Sequence, residues 1–171
     1  WCEDGLAYIN AAVELVNGRG LYIIDSIGGY IPLTHWPPGL PILLAGFSFL
    51  GISPVEAARL MNAFLFGVNS FLFGYFLRVY GPKVIWLPIL GMVAFMGSTT
   101  VLKVSADAMS ESLFLCCELL TFLFLLKYME TNNKILLTVA AIFAGWSFLT
   151  RYFGITVIST VVIMIVIQHR T

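Results

Sequence analysis

Four ionisable residues stand at or near the edges of apolar stretches, and their side chains could form one site: Asp4, His35, Asp107 and Arg151. An arginine facing a cavity is suited to binding phosphate, because its guanidinium fork matches the phosphate oxygens. Each residue alone also has a structural explanation, as a first-turn acid, an interfacial anchor, an ion-pair partner or a snorkelling cation. One topology brings all four to the same membrane face, which favours a shared site over four separate structural roles.

The stretch THWPPGLP, residues 34–41, predicts a stiff corner. Proline fixes the backbone, so the corner can hold His35 at one place. The apolar run that follows, GLPILLAGFSFLG, is shorter than the roughly 20 residues that a hydrocarbon core requires. We therefore expect a short helix that lies along the membrane interface or re-enters the membrane.

The composition excludes an ordinary soluble domain. Hydrophobic residues make up 60% of the 171 residues, charged residues only 11%, and the mean hydropathy is +0.95. A soluble protein needs a largely polar surface, which so few polar residues cannot provide. The predicted fold class is all-α: a polytopic transmembrane helical bundle, preceded by an extracytoplasmic segment with amphipathic interfacial helices. No nucleic acid is expected as a partner.

The bundle is predicted to occupy 54–171, and the extracytoplasmic segment 1–53. Ser53, Pro54 and Glu56 form the capping pattern that begins a helix. The last two apolar stretches are nearly continuous, and one helix of 35 residues would be about 52 Å long, so a turn is expected near TRYFG. The predicted spans are about 54–79, 84–102, 107–129, 134–150 and 152–168.

The first segment is predicted to begin with an amphipathic helix over EDGLAYINAAVELVNGRG. Its apolar stripe would be Leu6, Ile9, Val13 and Val16, and Asn17-Gly18 would end it. Residues 21–38 contain glycine and proline punctuation and are predicted to be loop.

The positions of lysine and arginine give the orientation. With five spans, the residues assigned to the cytoplasmic side are Arg78, Lys83, Lys127, Lys134 and Arg170. The other four basic residues fall on the opposite side, so the bias is small and the inverted topology stays open. The preferred orientation places the candidate site on the extracytoplasmic face.

Three acids lie on one predicted helix: Asp107, Glu111 and Glu118. Offsets of four and seven residues put them on one face. Ionisable side chains are costly in lipid, so this face should point at protein or water. The alternatives are pairing with Arg59, Lys103 or Arg151 to hold the bundle, or participation in the site.

An ordered set of motifs resembles membrane glycosyltransferases of the GT-C type. The set comprises the acidic pair Glu3-Asp4, Tyr8, AAVELVNGRGLY, HWPPGLP, GISPVEAARLMNAFL, SADAMSESLFL and LTRYFG. It is most similar to the dolichyl-phosphate-mannose–protein mannosyltransferase branch and its bacterial relatives, the aminoarabinose transferases. The resemblance covers nearly the whole chain but only the N-terminal half or less of such a protein, so we expect a fragment of a longer chain.

The resemblance implies transfer of a sugar from a polyprenyl-phosphate donor to an acceptor hydroxyl, with inversion. Asp4, with its neighbour Glu3, matches the catalytic acid of the first outer loop. Arg151 and His35 match residues near the donor phosphate, although Trp36, rather than a basic residue, directly precedes Pro37. Lys103 is a further candidate for the phosphate. Asp107 and Glu111 would support the site or bind a metal.

The resemblance leaves the cofactor open, with magnesium or manganese as the candidate. The acceptor would be a protein, a glycan or a lipid, in a bacterial or archaeal cell membrane or the eukaryotic endoplasmic reticulum membrane. The alternative function is a non-catalytic structural or lipid-binding subunit of a larger membrane complex.

Overall fold

The structure is a computed structural model that describes residues 3–24 and 28–168; Arg170, which the orientation prediction used, lies outside these ranges. Within them are eight α-helices, a 3₁₀ turn and a two-stranded antiparallel sheet. In chain order they are α1 (Glu3–Val16), β1 (Tyr22–Ile24), β2 (Tyr30–Pro32), α2 (Gly39–Ser48), α3 (Pro54–Tyr80), α4 (Leu87–Gly97), α5 (Thr99–Ala106), α6 (Glu111–Thr131), α7 (Lys134–Thr150), the 3₁₀ turn (Tyr152–Gly154) and α8 (Ile155–Gln168).

The small sheet corrects the prediction of loop over residues 21–38. β1 and β2 pair antiparallel, with Tyr22 opposite Pro32 and Ile24 opposite Tyr30. Strands of three residues are too short to produce a recognisable alternation of apolar and polar residues. The fold is therefore mostly helical, with one small hairpin between α1 and α2.

Two helices, α3 and α6, are long and apolar enough to cross a membrane. The predicted span 84–102 is instead two helices, α4 and α5, bent by 58° at Ser98; together they pass the same test, which gives up to three spans among the described residues. The predicted span 107–129 begins later, at Glu111. The stretches predicted as the last two spans form shorter apolar helices.

Helix α3 begins as predicted. The Glu56 backbone N–H donates to Ser53 Oγ at 3.3 Å, and the Ser53 backbone N–H donates to Glu56 Oε2 at 3.2 Å. Pro54 occupies the first turn, where a missing N–H costs nothing. The turn predicted near TRYFG is also present, because Arg151 is extended and separates α7 from the 3₁₀ turn.

The predicted apolar stripe of α1 is not the face by which this helix packs on the rest of the protein. Leu6, Val13 and Val16 are exposed, whereas the face that packs on α2 is made largely of alanine together with Tyr8. Small side chains let two helices approach closely, so the residues that dominate a hydropathy pattern need not be those that pack. Of the predicted stripe, Ile9 alone is buried.

Helix α6 connects two hydrophobic cores. The first core joins α1, α2 and α3 to the N-terminal half of α6, around Leu40, Leu44 and Leu65. The second joins the C-terminal half of α6 to α7 and α8, around Leu125 and Val157. The candidate site lies at the end of α6 that belongs to the first core.

Candidate functional site

A cavity of about 260 Å³ lies where the N-terminal ends of α1 and α6 meet the proline corner and the 3₁₀ turn. Four of the residues predicted from the sequence line it together: Asp4, His35, Glu111 and Arg151. The remaining lining residues are Tyr8, Trp36, Pro37, Met109, Ser110, Tyr152 and Phe153. The fold thus brings together side chains from four separate parts of the chain.

Asp4 lies in the first turn of α1 and is held by the proline corner. Trp36 Nε1 donates a hydrogen bond to Asp4 Oδ1 at 3.0 Å. The Trp36 ring also meets the His35 ring edge to face, with centroids 4.9 Å apart. The corner therefore positions both His35 and the carboxylate of Asp4, and Trp36 makes the direct bond to that carboxylate.

Tyr8 ties α1 to the beginning of α6. Its hydroxyl lies 3.2 Å from Ser110 Oγ, and both residues are buried. Burial raises the pKa of Tyr8, an effect that the hydrogen bond to Ser110 partly offsets. Tyr8 therefore stays protonated at neutral pH, and its O–H remains available to the cavity or to Ser110.

Arg151 forms an ion pair with Glu111 Oε1 across the cavity wall. The arginine side chain remains 38% exposed, and a guanidinium carries five N–H donors, more than one carboxylate oxygen can use. This pair fulfils the structural alternative expected for Glu111, and it also fixes the direction of the guanidinium. The N-terminal end of α6 adds partial positive charge to the same wall.

A close contact between α2 and α7 places the proline corner beside Arg151. A Cβ atom added at Gly39 would lie 2.6 Å from the Leu149 carbonyl oxygen, so only glycine fits at this crossing. Tyr152 reinforces the contact, because its hydroxyl donates to the Thr34 carbonyl at 3.1 Å. Residues 34–38 are thus held against the end of α7 from two directions.

Two asparagines of α3 hold the segment that carries Met109, Ser110 and Glu111. Asn62 Nδ2 donates to the Asp107 carbonyl, and Asn69 Nδ2 donates to the Ser112 carbonyl at 2.8 Å. The sequence predictions missed both residues. Their signal was present, because two asparagines seven residues apart on an apolar helix lie on one face.

Three predicted residues do not line the cavity: Glu3, Lys103 and Asp107. Glu3 is exposed in the first turn of α1, and Lys103 is exposed in the last turn of α5. Asp107 ends α5 and contributes its carbonyl to the bond from Asn62. Glu118 lines a different cavity, which it shares with Glu111.

The donor set of the cavity does not fit a divalent cation well. Its two carboxylates are Asp4 and Glu111, and the second is already paired with Arg151. Within 3–24 and 28–168, no three histidine, cysteine or acidic side chains are grouped so that they could hold a metal ion. The partly exposed guanidinium of Arg151, by contrast, suits an anionic ligand.

No protein-family model matches this chain, and no curated protein or solved structure matches it. The functional assignment consequently depends on the geometry of the cavity and on the sequence motifs. That geometry offers a carboxylate fixed by an indole N–H, a partly exposed guanidinium fixed by a carboxylate, and an aromatic wall between them.

Proposed function

We propose that this chain forms the catalytic part of a multi-pass membrane glycosyltransferase that moves a sugar from a polyprenyl-phosphate donor to an acceptor hydroxyl. One observation carries the proposal: Asp4 and Arg151, from opposite ends of the chain, line one cavity with His35 and Glu111. A carboxylate and a guanidinium in one cavity match the two tasks of the reaction, which are removal of a proton and stabilisation of a leaving phosphate.

The arrangement of basic residues supports an extracytoplasmic cavity. Lys127 and Lys134 flank the turn between α6 and α7, whereas Glu111 and Arg151 lie at the other ends of these two helices. Arg78 lies in the last turn of α3. By the positive-inside rule the α6–α7 turn would face the cytoplasm, and the cavity would then lie on the extracytoplasmic side, as we propose.

In the proposed mechanism Asp4 accepts the proton of the acceptor hydroxyl as that oxygen attacks the anomeric carbon. The bond from the anomeric carbon to the phosphate oxygen breaks, and its electron pair leaves with the lipid phosphate. Attack from the face opposite the leaving group inverts the configuration. Trp36 keeps the Asp4 carboxylate in place during the transfer.

Arg151 stabilises the charge that develops on the leaving phosphate, and His35 provides a second polar contact at the same cavity. Glu111 holds the guanidinium before the donor arrives, so little reorganisation is needed at the moment of reaction. A lysine would be a poor substitute, since one ammonium cannot contact the carboxylate and two phosphate oxygens in the same fixed plane.

The second candidate function is a non-catalytic lipid-binding or structural subunit of a membrane complex. The ion pair itself favours it, because an arginine neutralised by Glu111 is also what a purely structural tie between α6 and α7 would show. In that case the cavity would bind a lipid phosphate without acting on it. Binding and transfer must therefore be measured separately.

The test compares Asp4→Asn with Glu3→Gln in membranes that contain the protein. Labelled polyprenyl-phosphate sugars are supplied, and transfer to endogenous acceptors and binding of polyprenyl phosphate are both recorded. Asp4→Asn keeps an acceptor oxygen for Trp36 but removes the base, so transfer should fall about 10²–10⁴-fold while lipid binding persists. Glu3→Gln is the matched control, because Glu3 is adjacent in sequence but does not line the cavity.

Equal transfer by wild type and Asp4→Asn would exclude Asp4 as the base. Absence of transfer by the wild type with every sugar, together with polyprenyl-phosphate binding that Arg151→Ala abolishes, would favour the lipid-binding subunit.

A further inference from the structure

A second cavity, of about 270 Å³, lies between α3, the bent pair α4–α5 and α6. It shares Glu111 with the candidate site but otherwise has different walls. The residues that bear on its chemistry are Phe66, Asn69, Phe95, Glu111, Phe114 and Glu118. The other lining residues are three aliphatic ones and three with hydroxyl groups: Val101, Val104, Leu115, Thr100, Ser105 and Ser112.

Two of these polar atoms are buried acceptors that no donor satisfies. Asn69 is 2% exposed, and its amide nitrogen is committed to the Ser112 carbonyl. Its Oδ1 has no hydrogen-bond partner within the described part of the chain, and the same holds for Glu111 Oε2. A buried polar atom without a partner is costly, so a bound molecule that donates to both atoms would be stabilised here.

The ionisable residues among the described lining of this cavity are both acidic. It carries the carboxylates of Glu111 and Glu118, and none of its described lining residues is basic. The arginine that pairs with Glu111 lies on the other side, in the first cavity. Because Glu111 is already paired with Arg151, Glu118 is the acid that would favour a positively charged ligand over a neutral one.

The aromatic walls suit the same kind of ligand. Phe66 and Phe95 have ring centroids 6.4 Å apart, and Phe114 lines the cavity as well. The faces of aromatic rings attract ammonium groups, and the remaining apolar walls accommodate a hydrocarbon chain. Aromatic rings beside carboxylates form a combination typical of amine recognition.

We propose that this second cavity binds an amphiphile with a primary ammonium group. The ammonium N–H groups would donate to Asn69 Oδ1 and Glu111 Oε2 while its charge is balanced by Glu118. A trimethylammonium group has no N–H to donate and leaves both acceptors unsatisfied. The ligand is either a free alkylamine or the headgroup of an aminophospholipid. The proposal does not require sugar transfer, although the two cavities share Glu111.

The first experiment measures binding of three octyl ligands to the purified protein in a neutral detergent by saturation-transfer NMR. The ligands are octylammonium, octyltrimethylammonium and octanol. Octylammonium should bind saturably and about tenfold more tightly than either of the others, because hydrogen bonds to charged groups are among the stronger ones. This comparison uses the wild-type protein alone, so it does not depend on any variant folding.

The second experiment uses Glu118→Gln with Glu130→Gln as its matched control. Both residues are on α6, but Glu130 lines another cavity, near Tyr80 and Lys127. Affinity for octylammonium should fall about tenfold in Glu118→Gln and stay unchanged in Glu130→Gln. Equal affinity in wild type and Glu118→Gln, or octanol binding as tightly as octylammonium, would overturn the proposal and leave a cavity that holds only water or a hydrocarbon chain.

Native mass spectrometry of the protein in mixed micelles distinguishes the two sources of the amine. Selective retention of phosphatidylethanolamine over phosphatidylcholine, with displacement by octylammonium, would identify an aminophospholipid. Octylammonium binding with equal retention of both lipids would identify a free amine.

Discussion

The two ends of α6 are held in different ways. At the N-terminal end, side-chain hydrogen bonds join three helices: Tyr8 to Ser110, Asn62 to the Asp107 carbonyl and Asn69 to the Ser112 carbonyl. At the C-terminal end the packing against α7 and α8 is almost wholly apolar, around Leu125, Ala140, Ala144 and Val161. A polar tie at this end runs from Gln168 Nε2 to the Met129 carbonyl, at 3.3 Å.

This difference indicates which end of α6 must be held in one exact register and which end needs only to stay packed. Apolar packing tolerates small slides along a helix, whereas a hydrogen bond to a particular carbonyl fixes one register. The directional bonds are concentrated around the residues that carry Ser110 and Glu111. We therefore expect changes at the N-terminal end to alter the site, and changes at the C-terminal end to alter stability alone.

Among the variants that compare the two ends of α6, the largest effect is expected for Arg151→Ala. If Arg151 stabilises the leaving phosphate, its removal should lower the rate of transfer about 10²–10³-fold, as loss of one preorganised donor does elsewhere. Arg78→Ala is the matched control, since Arg78 lies in the last turn of α3 and outside the cavity. Transfer assays in membranes check this, and equal losses in both variants would remove the distinction between the two ends.

Leu125→Ala should affect stability and leave the chemistry intact. Leu125 is fully buried in the second core, and truncation leaves a void. In a membrane the transfer term is small, so the loss should lie near the lower end of the usual range, about 2 kcal/mol. Chemical unfolding in detergent measures it, with exposed Ile142→Ala as control. A fall in transfer rate per folded molecule would show that the two ends are coupled.

Asn62→Leu should slow transfer while lowering the free energy of unfolding less than Leu125→Ala does. It removes the bond to the Asp107 carbonyl, with an expected loss of about 1 kcal/mol, and it also removes an acceptor that has no partner among the described residues. Because the bond positions the segment before Glu111, transfer should slow more than it does in the less stable Leu125→Ala. Measurements of the free energy of unfolding and of the transfer rate in both variants test whether the two effects are ranked in opposite order.

The smallest expected effect is the pH dependence contributed by Tyr8. Its pKa is raised above the ordinary value of 10.0, mainly by burial, so the folded state binds the proton more tightly than the unfolded state does. The stability that depends on protonated Tyr8 is complete below pH 10 and is lost as the pH rises through the higher folded value. Unfolding measurements from pH 8 to 11 should show a steeper decline in wild type than in Tyr8→Phe; parallel curves would contradict this.

Local signals in the sequence predicted much of the helical framework. The capping pattern at Ser53, the short helix after the proline corner and the break at Arg151 each depend on neighbouring residues, and all three are present. The hairpin and the 58° bend at Ser98 were not predicted, because a three-residue strand has no period and no proline marks the bend.

Of the seven residues predicted for the site, four line one cavity and three do not. Asp4, His35, Glu111 and Arg151 stand out as charged or polar residues in an apolar chain, and they do line one cavity. The bond from Trp36 to Asp4 and that from Tyr8 to Ser110 connect residues far apart in sequence. Such contacts depend on how the helices pack, which residue types and spacing do not specify.

The two-residue turn between α6 and α7 has a consequence for the far end of the molecule. Asn132 adopts a left-handed conformation with φ 53°, and Asn133 caps α7 directly afterwards, so the two helices form a rigid hairpin. From this turn α6 runs about 31 Å to Glu111 and α7 about 25 Å to Arg151. The lengths of the two helices, counted from this turn, therefore set where Glu111 and Arg151 lie relative to each other. One residue inserted into α7 would rotate Arg151 by about 100° around the helix axis and break its alignment with Glu111.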